Sequence, residues 1–154
     1  DAETHYNYGT DLAALGQFDE AVAQYKQALN LRPSYADAEN DLGNVLTSLK
    51  RPTEAEAAYK SAIADDPAFA EAHFNLGNAY FADGQLADAE AQFRAAIKTD
   101  PDYAEAYNNL GSVLMKQGHY LEATVEFKQA LQLDPDYDDA KNNYNALQAL
   151  INGN

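Results

Sequence analysis

A spacing of 34 residues recurs along this chain and restricts its possible folds more than any other sequence feature. Prolines stand at this interval at Pro33, Pro67, Pro101 and Pro135. Five further sets keep the same interval: Gly9, Gly43, Gly77 and Gly111; Ala21, Ala55, Ala89 and Ala123; Ala28, Ala62, Ala96 and Ala130; Tyr25, Tyr59, Phe93 and Phe127; and Tyr35, Phe69, Tyr103 and Tyr137. Six sets in register across four copies predict a chain of four structural repeats.

Each repeat has the hydrophobic pattern of two amphipathic helices joined by a short turn. In the third copy, His73, Leu76 and Tyr80 fall on one helical face. Gly84 follows, where glycine can end a helix in the left-handed conformation. A second apolar set then runs up to Pro101, and the residue before a proline is disfavoured in a helix. The pattern predicts helices at residues 2–15, 18–31, 36–49, 52–65, 70–83, 86–99, 104–117, 120–133 and 138–151.

Polar residues mark the predicted starts of several helices. Ser34, Asp102 and Asp136 are suitable N-cap residues, and each is followed three positions later by an acidic residue. We therefore expect these three side chains to cap the helices that follow them.

Small residues recur where neighbouring helices must approach closely. A side chain at the repeated glycines would hold two helices apart, and the paired alanines leave room for a large residue of a neighbour. A single helical hairpin cannot bury its apolar face alone, so we expect stacked hairpins to form the core.

These residues resemble the tetratricopeptide repeat, a 34-residue unit with small and large residues at the same positions. The resemblance rests on Leu76-Gly77, Leu110-Gly111, the second-helix alanines and aromatics, and the terminal prolines, and it covers residues 2–151. It implies an all-α, right-handed α-solenoid of helix-turn-helix repeats. We expect one domain over residues 1–154, with repeats at 2–35, 36–69, 70–103 and 104–137 and a capping helix at 138–151.

The second repeat departs most from this pattern. Lys50 stands where the other repeats have glycine, and Glu39 stands where the family prefers a large aromatic residue. Asp65 replaces an apolar residue found at Leu31 and Leu133. We expect the second repeat to be the least well packed of the four.

Charge and composition argue against several classes of function. The chain has 25 acidic and 10 basic residues, a net charge of -15, which disfavours nucleic acid and anionic membrane surfaces as partners. There is no cysteine, so disulfides and thiolate metal sites are excluded. No apolar run is long enough to span a bilayer. We interpret the start at Asp1 as that of a fragment or processed form. The location stays open, with the cytoplasm favoured over other compartments.

The sequence contains no constellation typical of an enzyme. His5 and His73 share one register on the packing face of a first helix, and we expect both to be partly buried, whereas His119 should be solvated. No His-x-x-His motif and no Gly-rich phosphate loop occurs. We therefore expect a non-enzymatic protein with no metal and no cofactor.

A second face on each first helix lies away from the predicted core and is rich in asparagine. The family resemblance implies that first helices line an inner, concave groove. Asparagine is a mediocre helix former, and its amide can pair with any peptide unit. The predicted ligand-binding residues are Tyr6, Asn7, Asn40, Asp41, Asn44, Glu71, Phe74, Asn75, Asn78, Phe81, Asn108, Asn109, Ser112, Met115 and Asn143.

Two interpretations of these asparagines stay open. They form either a ladder that grips a partner's backbone, or a pattern that reflects ancestry or local hydrogen bonding without a ligand. The acidic residues of the first helices likewise either attract a basic partner or complement the helix dipole.

The sequence thus predicts a scaffold that binds a peptide or protein segment and is a monomer or a weak homo-oligomer. A basic partner follows from only one of the two interpretations of its acidic residues. The first alternative is a substrate-recruiting region of a larger enzyme; the asparagine register resembles that of O-linked N-acetylglucosamine transferase, although Asp41 interrupts it. The second alternative is a self-assembling scaffold. Capture of a chaperone's C-terminal carboxylate is disfavoured, because the registers that would hold its basic residues carry Tyr6, Asp41, Glu71 and Asn75.

Overall fold

The structure, a computed structural model, describes residues 1–153, and its regular secondary structure there is helical. The helices are α1 (Ala2–Ala14), α2 (Phe18–Leu31), α3 (Ala36–Ser48), α4 (Pro52–Asp65), α5 (Ala70–Ala82), α6 (Leu86–Thr99), α7 (Ala104–Gln117), α8 (Tyr120–Leu133) and α9 (Asp138–Asn152). The all-α fold is confirmed, and every predicted boundary lies within one residue of the observed one. None of the helices within residues 1–153 has the length and apolarity that crossing a membrane requires.

The turn inside each hairpin carries one residue in the left-handed conformation. Gly84 has a φ of 76°, as predicted, and Gly16 and Gly118 have φ values of 74° and 84°. In the second hairpin Lys50 takes the same conformation with a φ of 58°. The second repeat therefore keeps the geometry of this turn without glycine, the residue that adopts a positive φ most easily.

The predicted N-caps are wrong. Tyr35, Tyr103 and Tyr137 hold the N-cap positions, and none of them makes a side-chain cap hydrogen bond. Asp100 and Asp134, which precede prolines, instead accept the backbone N–H two residues later through Oδ1, at 3.1 and 3.0 Å. These short turns take up the chain before α7 and α9. Ser34, Asp102 and Asp136 each lie one residue before the N-cap position.

The chain divides into two compact units, the first covering Asp1–Leu76 and the second beginning at Gly77. In the first unit, Tyr25 and Tyr59 are buried against Gly9 and Gly43. The same arrangement recurs in the second unit, where Phe93 and Phe127 lie against Gly77 and Gly111.

The glycines are required by this packing. A Cβ atom at Gly111 would lie 2.7 Å from Cε1 of Phe127, closer than carbon atoms can approach without displacement. The repeated alanines of the second helices are also fully or almost fully buried. The predicted close packing of small and large residues is therefore present within each unit, while the single domain over residues 1–154 stays a prediction.

Helix α9 covers one face of α8 and also contacts α7. Ala140 and Leu147 on its inner face are fully buried. Its other face carries Asn142 and Asn145, which are exposed, together with the apolar Leu150 and Ile151.

Candidate functional site

In the first unit, three asparagine side chains join α3 to α5. We call Asn40, Asn44 and Asn75 the first amide cluster. Nδ2 of Asn75 donates to Oδ1 of Asn40 and to Oδ1 of Asn44, each at 3.0 Å. Both hydrogens of the Asn75 amide are therefore held by α3.

Two further groups complete this cluster. Nδ2 of Asn40 donates to Oε1 of Glu71 at 3.1 Å, and the Tyr59 hydroxyl donates to Oδ1 of Asn44 at 2.9 Å. The second bond ties the cluster to the core, because Tyr59 is the ring that lies against Gly43. The amides are thus fixed by core packing as well as by each other.

A tyrosine–carboxylate pair lies between α1 and α3 of the same unit. The Tyr6 hydroxyl donates to Oδ2 of Asp41 at 3.0 Å, and the Tyr6 ring packs 5.0 Å from that of Tyr35, between centroids. Burial, and then the charge of Asp41, raises the pKa of Tyr6. Burial also raises the pKa of Asp41; the Tyr6 hydrogen bond opposes this, and the charges of Glu71 and Asp37 add to it.

In the second unit, the corresponding cluster joins α5, α7 and α9. We call Asn78, Asn108, Asn109 and Asn143 the second amide cluster. Nδ2 of Asn109 donates to Oδ1 of Asn78 at 2.8 Å, and Nδ2 of Asn143 donates to Oδ1 of Asn108 at 2.9 Å. Asn108 in turn donates to Oδ1 of Asn109 at 3.1 Å.

Apolar and basic side chains lie on the same helices as this second cluster. The ammonium of Lys116 lies 5.4 Å from the centroid of the Phe81 ring, and Met115 is half-buried beside it in sequence. Ser112 donates to the backbone carbonyl of Asn108 and lies 3.5 Å from Nδ2 of Asn143.

The predicted site residues differ in exposure. Asn40 and Asn108 were expected on the face away from the core, but they are only 1% and 4% exposed. Their register turns them toward the next first helix, where they bond Asn75 and Asn143. Asn7 and Glu71 are exposed, and the other members of the predicted set are half-buried: Tyr6, Asp41, Asn44, Phe74, Asn75, Asn78, Phe81, Asn109, Ser112, Met115 and Asn143.

The hydrogen bonds within each cluster determine which of its donor and acceptor atoms remain available to a ligand. Asn75 and Asn143 each use Nδ2 twice, and within residues 1–153 the Oδ1 atom of neither accepts a hydrogen bond. Asn109 accepts from Asn108 and donates once to Asn78, which leaves one amide hydrogen. The two clusters thus present oriented acceptors at Asn75 and Asn143 and a donor at Asn109.

The three histidines are buried or exposed as the sequence predicts. His5 is half-buried with Nδ1 2.8 Å from Oε1 of Gln24, and His73 is buried with Nε2 3.1 Å from the Pro67 carbonyl oxygen. His119 is exposed at the N-terminus of α8. In the part of the chain that the structure describes, no three acidic or histidine side chains are placed to hold a metal ion.

Fold and side-chain arrangement together define a helical-repeat protein whose first helices carry polar, hydrogen-bonded side chains. The family model described as "TPR repeat" matches residues 9–50, 43–84 and 77–118, and the model described as "Tetratricopeptide repeat" matches residues 104–137. The chain belongs to the tetratricopeptide repeat family, whose members bind proteins or peptides and whose fold is generally that of a non-enzymatic interaction scaffold.

Solved structures agree with this assignment. A crystal structure of MamA is 26% identical, with a TM-score of 0.86 over 94% of this chain and 84% of that one. MamA from residue 41 to its end, from Desulfovibrio magneticus RS-1, is 30% identical, with a TM-score of 0.78 over 90% and 78% of the two chains. PilF of Pseudomonas aeruginosa shares the fold, at 22% identity and a TM-score of 0.89 over 99% and 69%. No curated protein matches the sequence.

Proposed function

We propose that this chain is a non-enzymatic scaffold whose first-helix faces bind an extended segment of a partner protein through the partner's backbone. The observation that supports this most is the state of Asn75 and Asn143. Each has both amide hydrogens committed to one neighbouring first helix, which leaves an oriented carbonyl oxygen that accepts no hydrogen bond from residues 1–153. A peptide N–H supplies the missing donor whatever the partner's sequence.

Fixed amides favour such binding because their side chains have already lost conformational entropy when the protein folds, before the partner binds. A free asparagine loses side-chain entropy when it binds, whereas Asn75 is already held at two points by Asn40 and Asn44. Local hydrogen bonding and ligand binding are therefore compatible roles for the same side chains. The hydrogen bonds between neighbouring asparagines orient the carbonyl oxygen that would bind the partner.

The first unit also favours a basic partner. Asp41 and Glu71 lie close enough for the charge of Glu71 to raise the pKa of Asp41, and Asp37 acts in the same direction. A lysine or arginine next to the bound backbone would relieve this repulsion between carboxylates. The net charge of -15 would add long-range attraction that falls with rising salt.

A double variant tests the amide mechanism. A partner recovered from native lysate is reduced to its shortest binding peptide, and its affinity is measured by calorimetry for the wild-type chain and for Asn75→Ala with Asn109→Ala. Loss of one acceptor and one donor should weaken binding roughly tenfold. Circular dichroism at the assay temperature checks that the variant is folded.

Asn30→Ala is the matched control, because Asn30 is an exposed asparagine on a second helix. This variant should bind as the wild type does. Equal affinities for the wild type and the double variant would remove the amides from the binding mechanism.

A further inference from the structure

In the second unit, the C-terminal ends of α5, α7 and α9 carry large apolar side chains together with one cation. Phe81 and Met115 are half-buried, and Leu150 is 54% exposed. The ammonium of the exposed Lys116 lies 5.4 Å from the centroid of the Phe81 ring. We call Phe81, Met115, Lys116 and Leu150 the C-terminal strip.

Contacts between α5 and α7 show that neighbouring first helices run parallel. Asn109 donates to Asn78 at 2.8 Å, and further along both helices Lys116 lies over the Phe81 ring. Residues that are equally far along two such helices therefore lie side by side.

Helical register places Leu150 next to Met115 by the same rule. Asn143 donates to Asn108 at 2.9 Å, which brings α9 against α7 at this point. Met115 lies about two turns after Asn108, and Leu150 lies about two turns after Asn143. A side chain two turns further along a helix points from the same face, so the strip is one surface.

The fold does not need bulky apolar residues at these positions. In the first and second repeats, the register of Phe81 and Met115 holds Ala13 and Thr47, and Thr47 is exposed. Both repeats form the same helical hairpin with these smaller side chains. The apolar bulk of the strip therefore has a purpose other than the packing that all repeats share.

Lys116 is likewise not explained by the fold. A cation in the last turn complements the helix dipole, but α1, α3 and α5 end without one. Among residues 1–153, Lys116 makes no ion pair. Asp83, the acidic residue that follows α5, accepts a hydrogen bond from Gln85 at 3.3 Å instead.

We propose that the C-terminal strip binds a large apolar side chain of the partner segment together with the carboxylate of an adjacent acidic residue, which pairs with Lys116. The apolar side chain would cover Phe81, Met115 and Leu150 and remove their exposed area from water. This deepens the proposed function and rests on its premise that a partner segment lies on the first helices.

Charge complementarity selects the acidic neighbour. An ammonium at the edge of an apolar surface attracts an anion, and the attraction grows as the bound apolar group displaces water. The net charge of -15 repels a wholly acidic segment at long range. The segment that fits best thus has one carboxylate beside its apolar residue and is basic elsewhere.

The test is an NMR titration of the full ¹⁵N-labelled chain with the Nα-acetyl methylamides of three dipeptides: Phe-Glu, Phe-Gln and Ala-Glu. The Phe-Glu dipeptide should give saturable shifts at the amides of Met115, Lys116 and Leu150, with a dissociation constant in the roughly millimolar range. Phe-Gln should bind about threefold more weakly, with a smaller difference at high salt. Ala-Glu should bind at least about tenfold more weakly.

Two variants and their matched controls complete the experiment. Lys116→Met removes the charge and keeps an apolar stem, so Phe-Glu and Phe-Gln should bind it equally. Leu150→Ser removes exposed apolar area and should weaken the binding of both. Lys98→Met and Leu121→Ser change exposed residues of the same two kinds on second helices and should leave binding unchanged.

Four results would overturn the proposal. Three concern the dipeptides: equal affinity of the wild type for Phe-Glu and Phe-Gln, shifts that never saturate, and binding that Leu150→Ser leaves unchanged. The fourth is a self-association of the chain that Leu150→Ser abolishes, because a second copy would then occupy the strip.

The amide double variant separates this proposal from the failure of the proposed function. Asn75→Ala with Asn109→Ala leaves the strip intact, so it should bind the Phe-Glu dipeptide as the wild type does while it loses affinity for the partner peptide. Failure of the dipeptide to bind, with the amide effect present, rejects the strip alone. Dipeptide binding without an amide effect rejects the amide mechanism alone.

Discussion

Lys50 adopts a backbone conformation that is unfavourable for a residue with a side chain. Its φ of 58° lies in the left-handed region, which costs a residue with a Cβ atom about 1 kcal/mol relative to glycine. The other hairpins place Gly16, Gly84 and Gly118 at this position. The second repeat therefore gives up stability at a site where the fold needs only a permissive backbone.

We predict that Lys50→Gly stabilises the chain by about 1 kcal/mol, measured by urea unfolding at neutral pH. Gly84→Ala at the equivalent turn is the matched control and should destabilise it by a similar amount. A Lys50→Gly variant no more stable than the wild type would show that the turn carries no such strain.

Single residues also show where sequence patterns are informative and where they are not. Glycine and proline fix the helix ends, so the 34-residue spacing predicted every boundary within one residue. The N-cap prediction failed because tyrosines, one residue further along the chain, hold the N-cap positions, and Asp-Pro turns built on Asp100 and Asp134 precede two of these helices.

At the scale of the helices, contacts between first helices depend on how closely they pack, which the sequence pattern does not give. The asparagines were predicted as one stripe, whereas the structure separates buried amides, Asn40 and Asn108, from those that keep an unused polar atom, such as Asn75. A buried oxygen of Glu39 accepts no hydrogen bond from residues 1–153. This could have been suspected from the sequence, because Ala58 stands where other repeats carry Gln24 and Glu126.

The link between α7 and α9 yields a stability prediction. Asn143→Ala removes the donor to Oδ1 of Asn108, which is 4% exposed, and should cost about 1–3 kcal/mol of unfolding free energy. Asn145→Ala, an exposed asparagine on the same helix, is the control and should change stability far less. Equal effects in thermal unfolding would mean that this amide bond does not hold α9 in place.

The packing of α3 against α4 yields a prediction about pH. Burial raises the pKa of Glu39; the Ser61 hydrogen bond opposes this and the Asp65 charge adds to it. A carboxyl whose pKa is higher in the folded state costs stability when ionised, and this cost disappears as the pH falls through that pKa.

Glu39→Gln should therefore stabilise the chain at pH 7, and the difference from the wild type should shrink as the pH is lowered toward 4. Melting temperatures of both proteins across this range measure the effect. A difference that stays constant with pH would show that the ionisation of Glu39 is not coupled to folding.

At the scale of the whole molecule, repetition gives each unit the same two features: a tightly packed interior of small and aromatic residues, and a polar face on its first helices. The second repeat departs from this regularity at Lys50 and Glu39. That it is the least well packed of the four stays a prediction, and hydrogen exchange that found it the most protected repeat would contradict it.

We propose that partners bind the first helices through their fixed amides, a claim that an NMR map of the chain with its bound partner peptide can check. We predict that the largest shifts fall on α1, α3, α5, α7 and α9, and that the side-chain amides of Asn75, Asn109 and Asn143 shift on binding. Shifts confined to α2, α4, α6 and α8, with these three side chains unchanged, would contradict the claim.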